Sequence, residues 1–117
     1  MNAGGGSKYH NTRMEVDGIT FASKHEAYRY IELKYLQRTG QIKDLQIQRA
    51  FVLIGAQRDE NGQIIEHPVK YVADFCYKDK DGKTVVEDAK SPATRTDVYV
   101  LKRKLMLSIY GIRIQEV

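Results

Sequence analysis

The chain has 117 residues, 42% of them hydrophobic, with a single cysteine and a formal net charge of +4 from 19 basic and 15 acidic side chains. That length suits one domain with one core and no staples, and the lone Cys76 excludes an internal disulfide and fits a reducing compartment. No apolar run reaches membrane-spanning length, the glycine-rich residues 1–7 do not make a signal peptide, and the mild positive charge permits a polyanionic partner without demanding one, so a soluble, intracellular protein is expected.

Residues 1–11 read as a flexible arm and 12–117 as a single domain. The apolar-rich segments 14–16 and 19–21 flank Asp17-Gly18, the dipeptide of a two-residue hairpin turn, where both central positions need positive φ. Ser23 then opens a helix. With Glu26 three places on it forms a capping box, while Ala27, Tyr30, Leu33 and Leu36 recur at helical spacing and Thr39-Gly40 supplies the stop. Residues 45–54 read as a strand and 56–63 as a polar loop centred on Asn61-Gly62. The runs 71–77 and 84–90 are rich in β-branched and aromatic residues and read as two strands joined at Asp81-Gly82. Ser91-Pro92-Ala93 breaks the chain. A second helix runs from Thr96 or Asp97 to Tyr110, with Val98, Leu101, Leu105 and Ile109 as its core stripe and Gly111 as its end, and 112–114 is the last strand. Both faces of the central strands carry apolar residues: Val72, Cys76 and Val86 on one, Tyr71, Phe75, Tyr77 and Val85 on the other. A sheet covered by helices on both sides follows, a compact α/β sandwich.

Charges inside such strands are out of place unless something binds them. Asp74 lies in the first of the two strands and Asp88-Ala89-Lys90 in the second. An acid followed two places later by lysine occurs three times in the chain, so the spelling alone selects nothing. Glu32 and Lys34 sit in a helix, where residues two apart do not share a face; Asp81 and Lys83 belong to a turn; Asp88 and Lys90 lie in a strand, whose period of two puts both on one side. Turn length decides which acid meets Asp74. A three-residue loop, Lys80-Asp81-Gly82, sets Asp74 opposite Asp88 with Lys90 diagonal to it. A two-residue turn instead brings Glu87 to that face. The first register is preferred because it gathers acid, acid and lysine into a metal site, and Glu87 stays as the reserve ligand.

This element order, with Asp74 and Asp88-Ala89-Lys90, resembles the PD-(D/E)XK nuclease superfamily, whose αβββαβ core is a restriction-endonuclease-like central mixed sheet flanked by helices. Closer still, Val16-Asp17-Gly18-Ile19-Thr20-Phe21 followed by Ser23-Lys24-His25-Glu26-Ala27 is similar to the opening of a small phage-associated branch. The stretch Gly40 to Leu45, the strand Ala73-Asp74-Phe75 and the helical run Leu101 to Leu105 match that branch too, whereas Ser91 stands where a glycine commonly follows the lysine. The resemblance implies a Mg²⁺- or Mn²⁺-dependent DNA endonuclease, acting on branched DNA in phage recombination or replication, in the cytoplasm of a bacterial host.

Within that resemblance Asp74 and Asp88 hold the metal, the backbone carbonyl of Ala89 adds an oxygen, and Glu26 approaches directly or through water. Lys90 orients the attacking water and offsets charge rather than acting as a base, given an ordinary lysine pKa of about 10.4. Gln48, like Gln46, lies on the first strand beside the site, where an amide can orient water or phosphate. Lys102, Arg103 and Lys104, with Lys24 and Arg95, are the candidate DNA-backbone contacts, giving affinity without sequence preference. His25 reads as solvent-facing, and His10 and His67 are too isolated for zinc. A homodimer would suit symmetric cutting. The competing expectation is a nucleic-acid-binding module that keeps the fold with weak catalysis, and a third is a structural subunit.

Overall fold

A computed structural model of the chain describes residues 12–90 and 92–117; the expected arm, with His10, and Ser91 lie outside the described residues. Asp17 (φ 54°) and Gly18 (φ 78°) both take the left-handed conformation, so β1 (Met14–Val16) and β2 (Ile19–Phe21) pair as the Asp-Gly turn predicts. The Tyr30 hydroxyl donates to Asp17 Oδ2 at 2.9 Å and the Phe21 and Tyr30 rings meet at 5.0 Å, which ties this hairpin to the first helix. That helix, α1 (Lys24–Arg38), begins where Ser23 Oγ accepts from the Glu26 backbone N–H at 3.1 Å, and it buries Ala27, Tyr30 and Leu33.

Next come β3 (Lys43–Ile54), β4 (Gln57–Arg58), β5 (Ile64–Glu66), β6 (Val69–Lys78) and β7 (Thr84–Asp88). The expected polar loop at 56–63 is instead the short β4–β5 hairpin, closed by the same turn chemistry as β6–β7. In each turn an aspartate, Asp59 or Asp79, accepts two backbone N–H bonds through Oδ1 and its carbonyl accepts from a left-handed glycine, Gly62 or Gly82, at 3.0 Å. Helix α2 (Asp97–Tyr110) follows, capped by Thr96 and ended by Gly111 at φ 69°, and leads to β8 (Gln115–Glu116). The main sheet runs β3-β6-β7-β8, antiparallel except for the β7–β8 pair. That parallel pair requires a crossover, which α2 supplies. The last strand therefore forms later than 112–114: Ile112 and Ile114 pack into the core and the ladder begins at Gln115. No helix among the described residues is long and apolar enough to cross a membrane.

Helices cover both faces, as the apolar pattern requires. On the α1 side Phe21, Ala27, Tyr30, Leu33, Ile42, Phe75 and Tyr77 form one core; on the α2 side Phe51, Leu53, Tyr71, Ala73, Cys76, Val86, Tyr99, Met106 and Ile114 form the other. Burial of each large apolar side chain contributes about 1.5–3 kcal/mol. Two expected face assignments change. Tyr71 joins Cys76 and Val86, while Val72 is 47% exposed. Strict alternation would keep Leu45, Ile47, Phe51 and Leu53 of β3 on one face, yet the first two pack on the α1 core and the last two on the α2 core. Alternation breaks at Gln48, whose φ of 53° is left-handed, and the faces of the sheet exchange there.

The second change is in α2. Val98 and Leu101, expected in the core stripe, are 61% and 58% exposed, Ile109 is exposed too, and Leu105 is only partly buried; Tyr99 and Met106 point inward instead. Lys102 and Arg103 interrupt that inner stripe in the sequence, but their long side chains leave the core at its edge, Arg103 reaching Glu116 at 3.0 Å.

One polar cluster lies inside the α1 core. Glu87 accepts a bidentate pair from Arg29, Nε to Oε1 at 2.7 Å and Nη2 to Oε2 at 2.6 Å, and a short hydrogen bond from the Tyr77 hydroxyl. Replacing Arg29 by methionine leaves a buried carboxylate without its cation, and denaturant titration should show a loss of about 3 kcal/mol. The double variant R29M/E87Q should recover part of that loss; a single variant as stable as the parent would show the pair to be dispensable.

Candidate functional site

The hairpin turn places the acids. Asp79 N–H donates to the Lys83 carbonyl at 2.9 Å around a three-residue loop with Gly82 at φ 80°, and the ladder then pairs Lys78 with Thr84, Cys76 with Val86 and Phe75 with Glu87. Just beyond that last pair lie Asp74 and Asp88, and Asp88 lies on the side of the sheet towards α2, beside Thr96, Val98 and Tyr99. Asp74 Oδ2 accepts the Ala89 backbone N–H at 2.8 Å, which holds the chain leaving β7 against β6. Asp88, 3% exposed, accepts the Tyr71 hydroxyl at Oδ2 at 2.7 Å, and the Asp74 carboxyl is its neighbour across the ladder end.

Burial first, then the neighbouring Asp74 carboxyl, pushes the Asp88 carboxyl up to about 7. The Asp88 bond, after burial, holds the Tyr71 hydroxyl well above the usual phenol range. Lys90 Nζ stands 3.9 Å from Asp88 Oδ1 and 4.7 Å from the centre of the Tyr99 ring. Glu26 feels the same field: burial, followed by the charge of Asp74, raises its carboxyl, with Lys90 and His25 pulling the other way. Its half of the capping box is not made. Ser23 Oγ accepts from the Glu26 N–H, but among the described residues the Glu26 carboxylate accepts no hydrogen bond, and it lies within the field of Asp74 and Lys90.

Asp88, Lys90, Tyr71, Tyr99 and Lys102 line a cleft of about 290 Å³, with Lys70, Val72, Thr96 and Val98 at its rim. Gln48 sits across from Asp74, because Ile47 pairs with Phe75 and Arg49 with Ala73 on either side. Glu87, the reserve ligand, is on the opposite face, neutralised by Arg29, and is not a ligand for anything in this cleft. Arg95 and Arg103 are engaged by Glu116 at 2.7 and 3.0 Å, and Lys24 and Lys104 are exposed and do not line the cleft. His25 Nε2 lies 2.9 Å from the Val117 carbonyl oxygen. Tyr71 and Tyr99 escaped the sequence reading. Tyr71 was hidden by the exchange of faces, and the signal for Tyr99 was its place seven residues before Met106, on the stripe that is buried.

Among the described residues no three His, Cys, Asp or Glu side chains are grouped closely enough to cage a metal ion. The donor set is the neighbouring Asp74 and Asp88 carboxyls with Glu26 in the field of Asp74. It fits a hard divalent cation of the kind held by one or two carboxylates and otherwise by water and substrate oxygens. A softer ion would need imidazole or thiolate here, and the cleft offers neither.

Fold and site together define a small mixed α/β protein with a central mixed sheet, two helices, an N-terminal hairpin and an acid pair beside a lysine. The chain belongs to the family described as Protein of unknown function (DUF1064), which matches residues 6–114. Searches of curated proteins and of solved structures each gave no match.

The raised Asp88 carboxyl has a pH signature. A carboxyl that holds its proton more tightly folded than unfolded adds stability that is complete below the ordinary aspartate range near pH 4 and is lost as pH rises through about 7. Without divalent cations, thermal denaturation should therefore show falling stability from about pH 4 to pH 7, with Glu26 adding in the same direction. Asp88→Asn should flatten that slope; an unchanged slope would place the titrating group elsewhere.

Proposed function

We propose that this protein is a divalent-metal-dependent DNA endonuclease of the PD-(D/E)XK type, selective for branched or otherwise structured DNA and serving phage recombination or replication. One observation carries the reading: the buried Asp88 and the half-buried Asp74 are neighbours at the end of the β6–β7 ladder, with the Lys90 ammonium 3.9 Å from Asp88. Two carboxylates this close repel unless a proton or a cation lies between them, and a purely structural strand pair gains nothing from the arrangement.

A bound Mg²⁺ or Mn²⁺ would supply Lewis acidity towards the scissile phosphate and a water of lowered pKa. Asp74 and Asp88 would hold it, with the Ala89 carbonyl as a further oxygen and Glu26 reaching it directly or through water. Lys90 donates hydrogen bonds to the attacking water and to the phosphate oxygens on which charge develops. Tyr71 fixes the orientation of Asp88, and Tyr99 fixes that of Lys90 through its ring face. Lys70 and Lys102, which line the cleft, would meet backbone phosphates rather than base edges. Structure-selective or non-specific cutting suits this better than restriction-type specificity. Among the described residues no three acids close a cage, which favours one alternative, a nucleic-acid-binding module of the same fold with little catalysis.

Incubation with Mg²⁺ or Mn²⁺ and a panel of linear, flapped and four-way DNAs tests both. Asp74→Asn and Asp88→Asn should each lower cleavage by at least a hundredfold, on the order of 3 kcal/mol, and abolish calorimetric binding of Mn²⁺ while keeping DNA affinity. Wild-type protein that binds DNA without cutting any of the panel would leave the binding module. Lys102→Ala should weaken DNA binding and lower the salt slope by about one; an unchanged slope removes Lys102 from the interface.

A further inference from the structure

The most capacious cavity described lies one strand away from the acid pair, and the site above does not use it. It encloses about 700 Å³ between α2 and the last strand, lined by Arg103, Lys104, Leu107, Arg113, Ile114, Gln115 and Glu116. Its place is fixed by the parallel ladder, in which Glu87 pairs with Gln115 and Asp88 with Glu116. Directly paired residues share a face, so the Glu116 side chain is on the side of the sheet that carries Asp88, about 5 Å across the ladder.

Glu116 does not cancel the positive charge around it. Its carboxylate accepts from the Tyr99 hydroxyl at 2.7 Å, Arg95 Nη2 at 2.7 Å and Arg103 Nη1 at 3.0 Å. Two guanidinium groups on one carboxylate leave a cation in surplus before Lys104 and Arg113 are counted. Both of those are exposed, and neither has a hydrogen bond or ion pair among the described residues. Arg103, held from below by Glu116 and lying 5.9 Å from the Tyr99 ring centre, is fixed in orientation. A fixed guanidinium between two unpaired cations on a concave wall is the arrangement that receives an anion with several oxygens. The volume lies within the range of cavities that hold a nucleotide-sized ligand.

We infer that Arg103, Lys104 and Arg113 form a phosphate-binding site beside the acid pair, which holds the sugar-phosphate backbone of a strand running across β7 and β8. The strand as ligand rests on the proposed nuclease reading; the affinity for phosphate does not. Such an anchor answers a need of the acid pair, because a phosphodiester approaching two aspartates is repelled until a cation intervenes. A cationic wall one strand away holds the polyanion in place meanwhile.

Fluorescence anisotropy of a labelled single-stranded oligonucleotide, measured in EDTA so that cleavage takes no part, tests this with K104A/R113A. The control is K34A/R38A, which removes the same charge from the outer side of α1. The cavity variant should bind roughly tenfold more weakly and lower the salt slope by about 1.5, while the control stays within about twofold. Equal losses in both variants, no loss in K104A/R113A, or no binding by the wild type overturns the inference. Competition by inorganic pyrophosphate that is lost in K104A/R113A would show that the cavity takes free phosphate; failure to compete, with the oligonucleotide effect intact, would show that it requires a strand. If K104A/R113A binds as wild type yet cleavage with Mn²⁺ persists, the inference fails and the nuclease reading stands. If binding depends on Lys104 and Arg113 while no DNA is cut, the reverse holds.

Discussion

Everything at the candidate site depends on the register of the β6–β7 hairpin. Asp79 Oδ1 accepts the backbone N–H of Asp81 and of Lys83, its carbonyl accepts from Gly82, and Gly82 adopts the positive φ that closes a three-residue loop. Each bond is ordinary and worth about 1 kcal/mol. Their combined effect is discrete. A slip of one residue would move every side chain of β7 to the other face, sending Asp88 towards Arg29 and Glu87 towards Asp74.

Neighbouring acids on β7 thus meet opposite fates. Glu87 is neutralised by Arg29 and Tyr77 and serves the α1 core as a satisfied buried ion pair. Asp88 is given a second carboxyl, a phenol and a more distant ammonium, and its charge is only partly compensated. Folded proteins rarely keep a buried charge short of partners without some use for it. The contrast between these two residues, more than the presence of acids, sets the α2 face apart from the α1 face. The basic cavity by Glu116 lies on that same face.

The break in alternation at Gln48 also has consequences. It lets one long strand serve two cores, with Ile47 towards α1 and Phe51 towards α2, and it falls opposite Asp74. A left-handed non-glycine residue costs roughly 1–2 kcal/mol. Tyr71 reaches Asp88 because the faces exchange between them.

Sequence alone determined the elements with strong local chemistry: the Asp17-Gly18 hairpin, the Ser23 cap and the Gly111 stop; it narrowed the β6–β7 turn to two registers, which set either Asp88 or Glu87 on the face of Asp74. Local hydrogen bonds and positive-φ glycines leave a signature within a few residues, so these were legible. Tertiary structure alone decided which of two apolar stripes of α2 faced the sheet, where the last ladder began, that Arg95 and Arg103 would be held by Glu116, and that Tyr71 would turn towards Asp88. Those outcomes depend on groups far apart in the chain and on a single left-handed residue, and neither periodicity nor spacing carries information about contacts of that range.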